Sequence, residues 1–242
     1  MTTDHQDTRA PDEDDFVLVN TTLPSLPLPP NSERPDVVTE RLVLRALRED
    51  DLHAHHKLRT QPEVMVWTST GRPDKDLTET KSRLDPLLPP KDAETFCFAI
   101  CWRETGEYIG IGGSHRLKGV LGWPELGYMI RKEFWGRGLA TELVKAFLDA
   151  YVKLPRSPVQ LRVDRRSIVA AATGQKQERQ QEPVEAREIL TALVENSNER
   201  SHNVLKKCGL ERFTDFGEPD LRDPSKNITL VGYRFVVTQP GV

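Results

Sequence analysis

The stretch that most limits what this chain can become runs from Pro124 to Pro155. Residues 126–130 form a short apolar and aromatic run bounded by Pro124 and Arg131, and they read as a strand. Trp135-Gly136-Arg137-Gly138 is a tight, glycine-rich loop. From Leu139 the apolar positions recur at Leu143, Ala146, Phe147, Ala150, Tyr151 and Leu154, while Glu142, Lys145, Asp149 and Lys153 take the other face. That spacing predicts an amphipathic helix, stopped by Pro155.

Strand, glycine loop and helix in that order make a cradle for phosphate. The first-turn N–H groups of a helix lack partners inside it and carry the positive end of its dipole. Glycines let the backbone approach a pyrophosphate, because no Cβ stands in the way. Two other phosphate motifs fail on spacing. The loop has no Lys after its last glycine, and Gly110-Ile111-Gly112-Gly113-Ser114-His115 lacks the third glycine of a dinucleotide fingerprint.

Length and charge narrow the classes. With 242 residues the chain has room for one domain with a sizeable core plus tails. A net charge of −3 gives no basic field for nucleic acid. No apolar run is long enough to span a membrane, and the first residues lack the order of a signal peptide. Cys97 and Cys101 sit four apart on an expected strand, too far to bridge each other, and Cys208 is the third. An odd cysteine count of this kind leads to an expectation of reduced thiols in the cytoplasm, with the nucleus not excluded. His53, His55 and His56 lie on a polar helix without zinc spacing, so no metal is expected.

Read in order, residues 1–36 look like a disordered acidic and proline-rich tail. The cluster at 12–15 and Pro24-Ser25-Leu26-Pro27-Leu28-Pro29-Pro30 offer little to a core. The domain is expected over 37–242. It opens with a strand at 39–45 and a helix capped at 48–51. A loop over 60–75, centred on Met65, Val66 and Trp67, either packs the helices or lines a pocket. Residues 94–101 and 108–116 form a hairpin around Gly106. Residues from about 156 to 187 lose periodicity and read as a charged insertion, with a short strand at 159–163. A strand at 188–194 and a helix from Asn198 to Lys207, closed by Gly209, come next. Two last strands, 210–216 and 228–237, flank a Pro/Asp-rich loop.

Trp135-Gly136-Arg137-Gly138-Leu139-Ala140 resembles the acyl-CoA pyrophosphate loop of the GNAT acetyltransferase superfamily. Gly138 and Ala140 match that pattern, and Trp135 stands where Gln or Arg is usual. The neighbouring Glu125-Leu126-Gly127-Tyr128 and the opening Thr39-Glu40-Arg41-Leu42-Val43-Leu44-Arg45 resemble the branch of the ribosomal-protein N-terminal (alanine) acetyltransferases. So does Asn198-Glu199-Arg200-Ser201, followed by Lys207-Cys208-Gly209-Leu210. The tyrosine that many members carry near Leu205 is absent.

The resemblance implies a GNAT-like acyl-CoA N-acyltransferase fold, mixed α/β, with a central twisted sheet flanked by helices. It implies acetyl transfer from acetyl-CoA, as cosubstrate, to a primary amine of a protein N-terminus or small molecule. Gly136, Arg137, Gly138, Leu139, Ala140 and Thr141 would bind the pyrophosphate. Met129 and Ile130 would hold the pantetheine arm, with Asn198 beside it. An amine needs a base, and Glu125, at the start of the central strand, is the candidate; partial burial would raise its basicity. Ser201 would serve the departing thiolate. The competing reading is a non-catalytic acyl-CoA-binding or scaffold module acting through its tail or insertion. Oligomeric state is left open.

Overall fold

A computed structural model describes residues 9–170, 183–220 and 222–238. In chain order the elements are β1 (Phe16–Pro24), β2 (Val37–Val38), β3 (Leu42–Arg45), α1 (Leu52–Arg59), α2 (Pro62–Met65), α3 (Leu77–Leu84), β4 (Phe96–Trp102) and β5 (Tyr108–Arg116). Then follow β6 (Glu125–Ile130), α4 (Leu139–Tyr151), β7 (Arg156–Asp164), β8 (Val184–Glu185), β9 (Ile189–Glu195), α5 (Glu199–Lys207), β10 (Glu211–Asp220) and β11 (Asp223–Val236).

The strands form an eight-stranded sheet in the order β10-β11-β9-β6-β5-β4-β3-β2 and a three-stranded sheet in the order β7-β1-β8. Neighbours in the large sheet are antiparallel except β6 and β9. β4 is an interior strand, and Phe96 to Cys101 are all buried, as an apolar run covered on both faces should be. Phe96, Phe98 and Ile100 pack with Leu139, Leu143, Phe147 and Tyr151 of α4, the apolar stripe read from the sequence. Cys97 and Ala99 point the other way, toward Leu58, Val64 and Leu84 from α1, α2 and α3. The result is a mixed α/β sandwich with helices on both faces. Among the described residues no helix is long and apolar enough to cross a membrane.

Three expectations need correction. The leader is not a solvated tail from Glu13 onward. Asp12 caps a 3₁₀ turn at Glu13–Asp15, and β1 pairs with β7 over nine residues. Val17 and Val19 are buried with Trp123 and Val163. The proline run ends in an anchored segment, where Leu28 is buried and the Arg34 guanidinium donates to the carbonyls of Asp92 and Thr95 at 2.5 and 2.6 Å. The β-branched run at 16–22 was masked by the acidic cluster before it and the prolines after it. Residues 1–8 lie outside the described residues.

The segment at 156–187 also differs. Arg156–Asp164 is a full strand, and its alternation at Val159, Leu161 and Val163 serves a partner, β1, more than a hundred positions away in sequence. The glutamine-rich stretch lies largely outside the described residues. Finally, the Pro/Asp-rich loop near the C-terminus is absorbed into one long hairpin, with Pro219 opposite Asn227 and Asp220 opposite Asp223. Proline is tolerated there because β10 is an edge strand.

Candidate active site

The site begins where two parallel strands part. β6 and β9 share a single register pair, Glu125 with Thr191, closed by the Thr191 N–H and hydroxyl, which both donate to the Pro124 carbonyl at 2.9 and 3.0 Å. Beyond it the two strands diverge. Arg131 N–H donates to Ile109 on β5, so by antiparallel alternation Met129 and Gly127 also bond to β5. The backbone groups of Leu126, Tyr128 and Ile130 point the other way, toward β9 and the gap. The sequence pointed to Met129 and Ile130; the register commits Met129 to the sheet and leaves Tyr128 and Ile130 facing the opening.

At the open end stands the glycine loop. Gly136 and Gly138 adopt φ of 73° and 76°, the left-handed region, and a Cβ at Gly136 would meet nothing within 4 Å. Gly138 is the N-cap of α4 and offers no side-chain bond, so the first-turn N–H groups of Leu139, Ala140 and Thr141 have no cap. An uncapped helix start with open space above Gly136 and the Arg41 guanidinium beside Gly138 suits a pyrophosphate. The loop is held from two sides. Trp135 donates its Nε1–H to the Ile130 carbonyl at 2.6 Å, while its ring carries the Arg200 guanidinium at 4.9 Å. Arg41 donates to the Arg137 carbonyl at 2.8 Å and pairs with Glu142 at 2.7 Å. Trp135 is thus a strut between strand and loop, which accounts for an aromatic at that position.

On the same side of the sheet, α5 closes over the gap. Asn198 caps it, its side-chain oxygen accepting from Ser201 N–H at 3.1 Å. Ser201 neighbours the Tyr128 hydroxyl, which is buried and makes no hydrogen bond of ordinary geometry. Burial pushes the Tyr128 phenol up to about 12, with Ser201 opposing, so it is a protonated donor at neutral pH. Cys208 donates its thiol to the Thr141 carbonyl at 3.6 Å and ties α5 to the start of α4. His202 is structural: its ring bonds Tyr233 at 2.9 Å.

The opposite face carries the carboxylates. Glu125, Gly127 and Met129 alternate away from α4. The Glu125 side chain is 13% exposed, with one oxygen 3.7 Å from His115 Nε2 and the other accepting from Val120 N–H at 3.4 Å. Glu218 on β10 belongs to the same field; burial and the charge of Glu125 both raise its carboxyl. The β10–β11 tip curls over this face. There Arg222 bonds the Val66 carbonyl at 2.9 Å, Asp220 at 2.7 Å and Glu195 at 2.9 Å. Met65 is buried beneath, while Trp67 stays exposed.

Glu125 and Ser201 therefore lie on opposite faces at the parted strands, with the glycine loop at the far end. Sequence reasoning missed Tyr128, His115, Glu218, Arg41 and Arg222. Tyr128 lay inside a quoted motif and Arg41 inside another. His115 ended the second glycine run. Glu218 and Arg222 carried no local signal, since only the hairpin's long reach brings them in.

A parted strand pair leading to an uncapped glycine loop suits an elongated cosubstrate that ends in a pyrophosphate. The chain belongs to the GNAT family: the family model described as an acetyltransferase (GNAT) domain matches residues 41–211. It is an acetyl-CoA-dependent N-acetyltransferase. A curated relative, the uncharacterized N-acetyltransferase p20 of Bacillus licheniformis, is 26% identical over 128 residues, 52% of this chain and 71% of that protein. Among solved structures, a GNAT acetyltransferase of Bacillus anthracis aligns with a TM-score of 0.58 at 16% identity, covering 84% of this chain and 98% of that one. The spermidine N-acetyltransferase of Vibrio cholerae, solved with CoA and spermine, aligns with a TM-score of 0.54 at 15% identity, covering 82% and 97%. These structural likenesses show the fold.

Proposed function

We propose that the protein acetylates a primary amine, borne by a protein N-terminus or a small molecule, with Glu125 as the general base. The observation that carries this reading is the half-buried Glu125 carboxylate at the closed end of the parted strands, on the face away from the glycine loop's helix. Acetyl-CoA supplies the activated acetyl group. The amides of residues 136–141 hold the pyrophosphate, and Asn198 borders the pantetheine arm. The N–H groups of Tyr128 and Ile130 line that arm and polarise the thioester carbonyl, as an oxyanion hole does. Ser201 and the Tyr128 hydroxyl stand where a thiolate leaves, and together they donate hydrogen bonds to it. Glu125 accepts the proton that an ammonium must lose before its nitrogen can attack.

The Glu125→Gln variant tests this. It keeps volume and shape but cannot take a proton. Single-turnover rates with the best amine acceptor should fall by about two to four orders of magnitude, while CoA affinity stays at the parental value. A Gln variant at the parental rate would return Glu125 to the role of an ordinary strand carboxylate.

A further inference from the structure

We propose that His115 is the proton outlet of the site, taking the acceptor's proton from Glu125 and releasing it to water. The proposal rests on the reading of Glu125 as the base. Three features of the fold place the ring where it stands. First, β5 carries a bulge: Ser114 pairs with Leu126 and Arg116 with Glu125, so His115 is the extra residue. A bulge re-aims the side chain it carries, and here it turns the imidazole toward the start of β6. Second, the ring lies over Gly127. A Cβ there would come within 3.0 Å of its Cε1 and Nδ1, so the absence of a side chain makes the berth. Third, the contact bridges inside and outside. Nε2 is 3.7 Å from the Glu125 carboxylate, which is 13% exposed, while the His115 side chain is 36% exposed.

The proton balance is simple. The acceptor's N–H bond breaks and a Glu125 O–H bond forms, leaving the amine lone pair free. That O–H bond breaks as the two side chains close their 3.7 Å gap to hydrogen-bond distance and His115 Nε2 takes the proton. The imidazolium then gives that proton from Nε2 to water, so the ring keeps its tautomer and both side chains return to their starting state. The charged groups facing His115 are Glu125 on β6 and Arg116 on its own strand, with Glu218 on β10 facing Glu125 in turn. Burial lowers the His115 proton affinity first, Glu125 raises it and Arg116 lowers it again. A neutral ring at physiological pH is the state a proton acceptor needs.

The test uses the full chain, with spermine and an alanine-led tetrapeptide as acceptor probes and thiol release as readout. His115→Ala should slow turnover roughly tenfold, and imidazole added to the buffer should restore most of the rate, following its neutral fraction as pH changes. His115→Gln should be as slow but not rescued, because its side chain fills the berth. NMR titration of the His115 ring should show its midpoint falling in Glu125→Gln, since the carboxylate that favours the imidazolium is gone. A full rate in Glu125→Gln would fell the base reading. A slow Glu125→Gln beside a His115→Ala variant at the parental rate, or slow but deaf to imidazole, would fell the outlet alone. So would a ring midpoint that ignores the loss of Glu125.

Discussion

The two faces of the sheet are built on different plans. The cofactor face is largely local: residues 126–141 supply strand, loop and helix in one uninterrupted run on a continuous apolar core, and Arg41 and α5 join it from elsewhere. The opposite face, which we propose for the acceptor, is assembled from four segments: the β5 bulge, the start of β6, the turn after α2 and the tip of the β10–β11 hairpin. Buried polar contacts hold its helices. Arg59 and Asp74 form an ion pair at 2.6 Å with both side chains buried, Thr80 donates to Asp74, and His55 bonds Tyr108 at 2.9 Å. A face that binds one invariant cosubstrate can be carried by one motif.

The sharpest way to separate the two plans is acid. Burial above all, with help from Arg59, lowers His55 from 6.5 to about 4. The unfolded chain takes up this proton below about 6.5, whereas the folded chain resists until about 4. Stability is thus unaffected by His55 above that window and declines as pH falls through it, by about 3 kcal/mol in all. Urea midpoints measured across the window should fall in the parent and flatten in His55→Gln. An equal slope in both would show that the polar contacts under the acceptor face do not govern its acid response.

The cofactor face should respond to a single local change. Gly138→Asp puts a carboxylate at the uncapped helix start, beside the Arg41 guanidinium 3.7 Å from where its Cβ would sit, and its φ of 76° is one that Asp tolerates better than most residues. CoA affinity by calorimetry should drop about a hundredfold, roughly 2.7 kcal/mol, with the melting midpoint little changed. An unchanged affinity would mean that the pyrophosphate lies elsewhere.

The same contrast explains what the sequence disclosed. The strand, loop and helix at 126–154 were legible because their periodicity and glycines are contiguous. The strand at 16–24 was not, because its partner is β7 and its flanks look like a tail. The position of Glu125 at the start of β6 was legible beside the motif. His115 was visible only as the end of a glycine run, since a bulge cannot be read without the opposite strand. The hand of Met129 and Ile130 depended on register, which one hydrogen bond at Arg131 decides. Arg222 had no signature at all, because its partners Val66 and Glu195 are remote in sequence.

Arg222 also gives the gentlest test of the divided plan. Its guanidinium joins the hairpin tip to the end of β9 and to the turn after α2, and its stem lies against Gly71, where a Cβ would come within 1.9 Å. The side chain is 24% exposed, so water screens each of its pairs and their combined worth is about 1 kcal/mol. Arg222→Ala should therefore leave the fold intact and free the tip, carrying Glu218 away from Glu125. An acceptor that meets both carboxylates then loses one, and its KM should rise roughly fivefold, the equivalent of about 1 kcal/mol. The glycine loop lies on the other face, so CoA affinity should stay within about twofold of the parent, inside the usual scatter of distant, uncoupled sites. A KM that does not move would take the hairpin out of the acceptor face. A parallel loss of CoA affinity would show that the two faces are coupled through β9, whose end Arg222 holds.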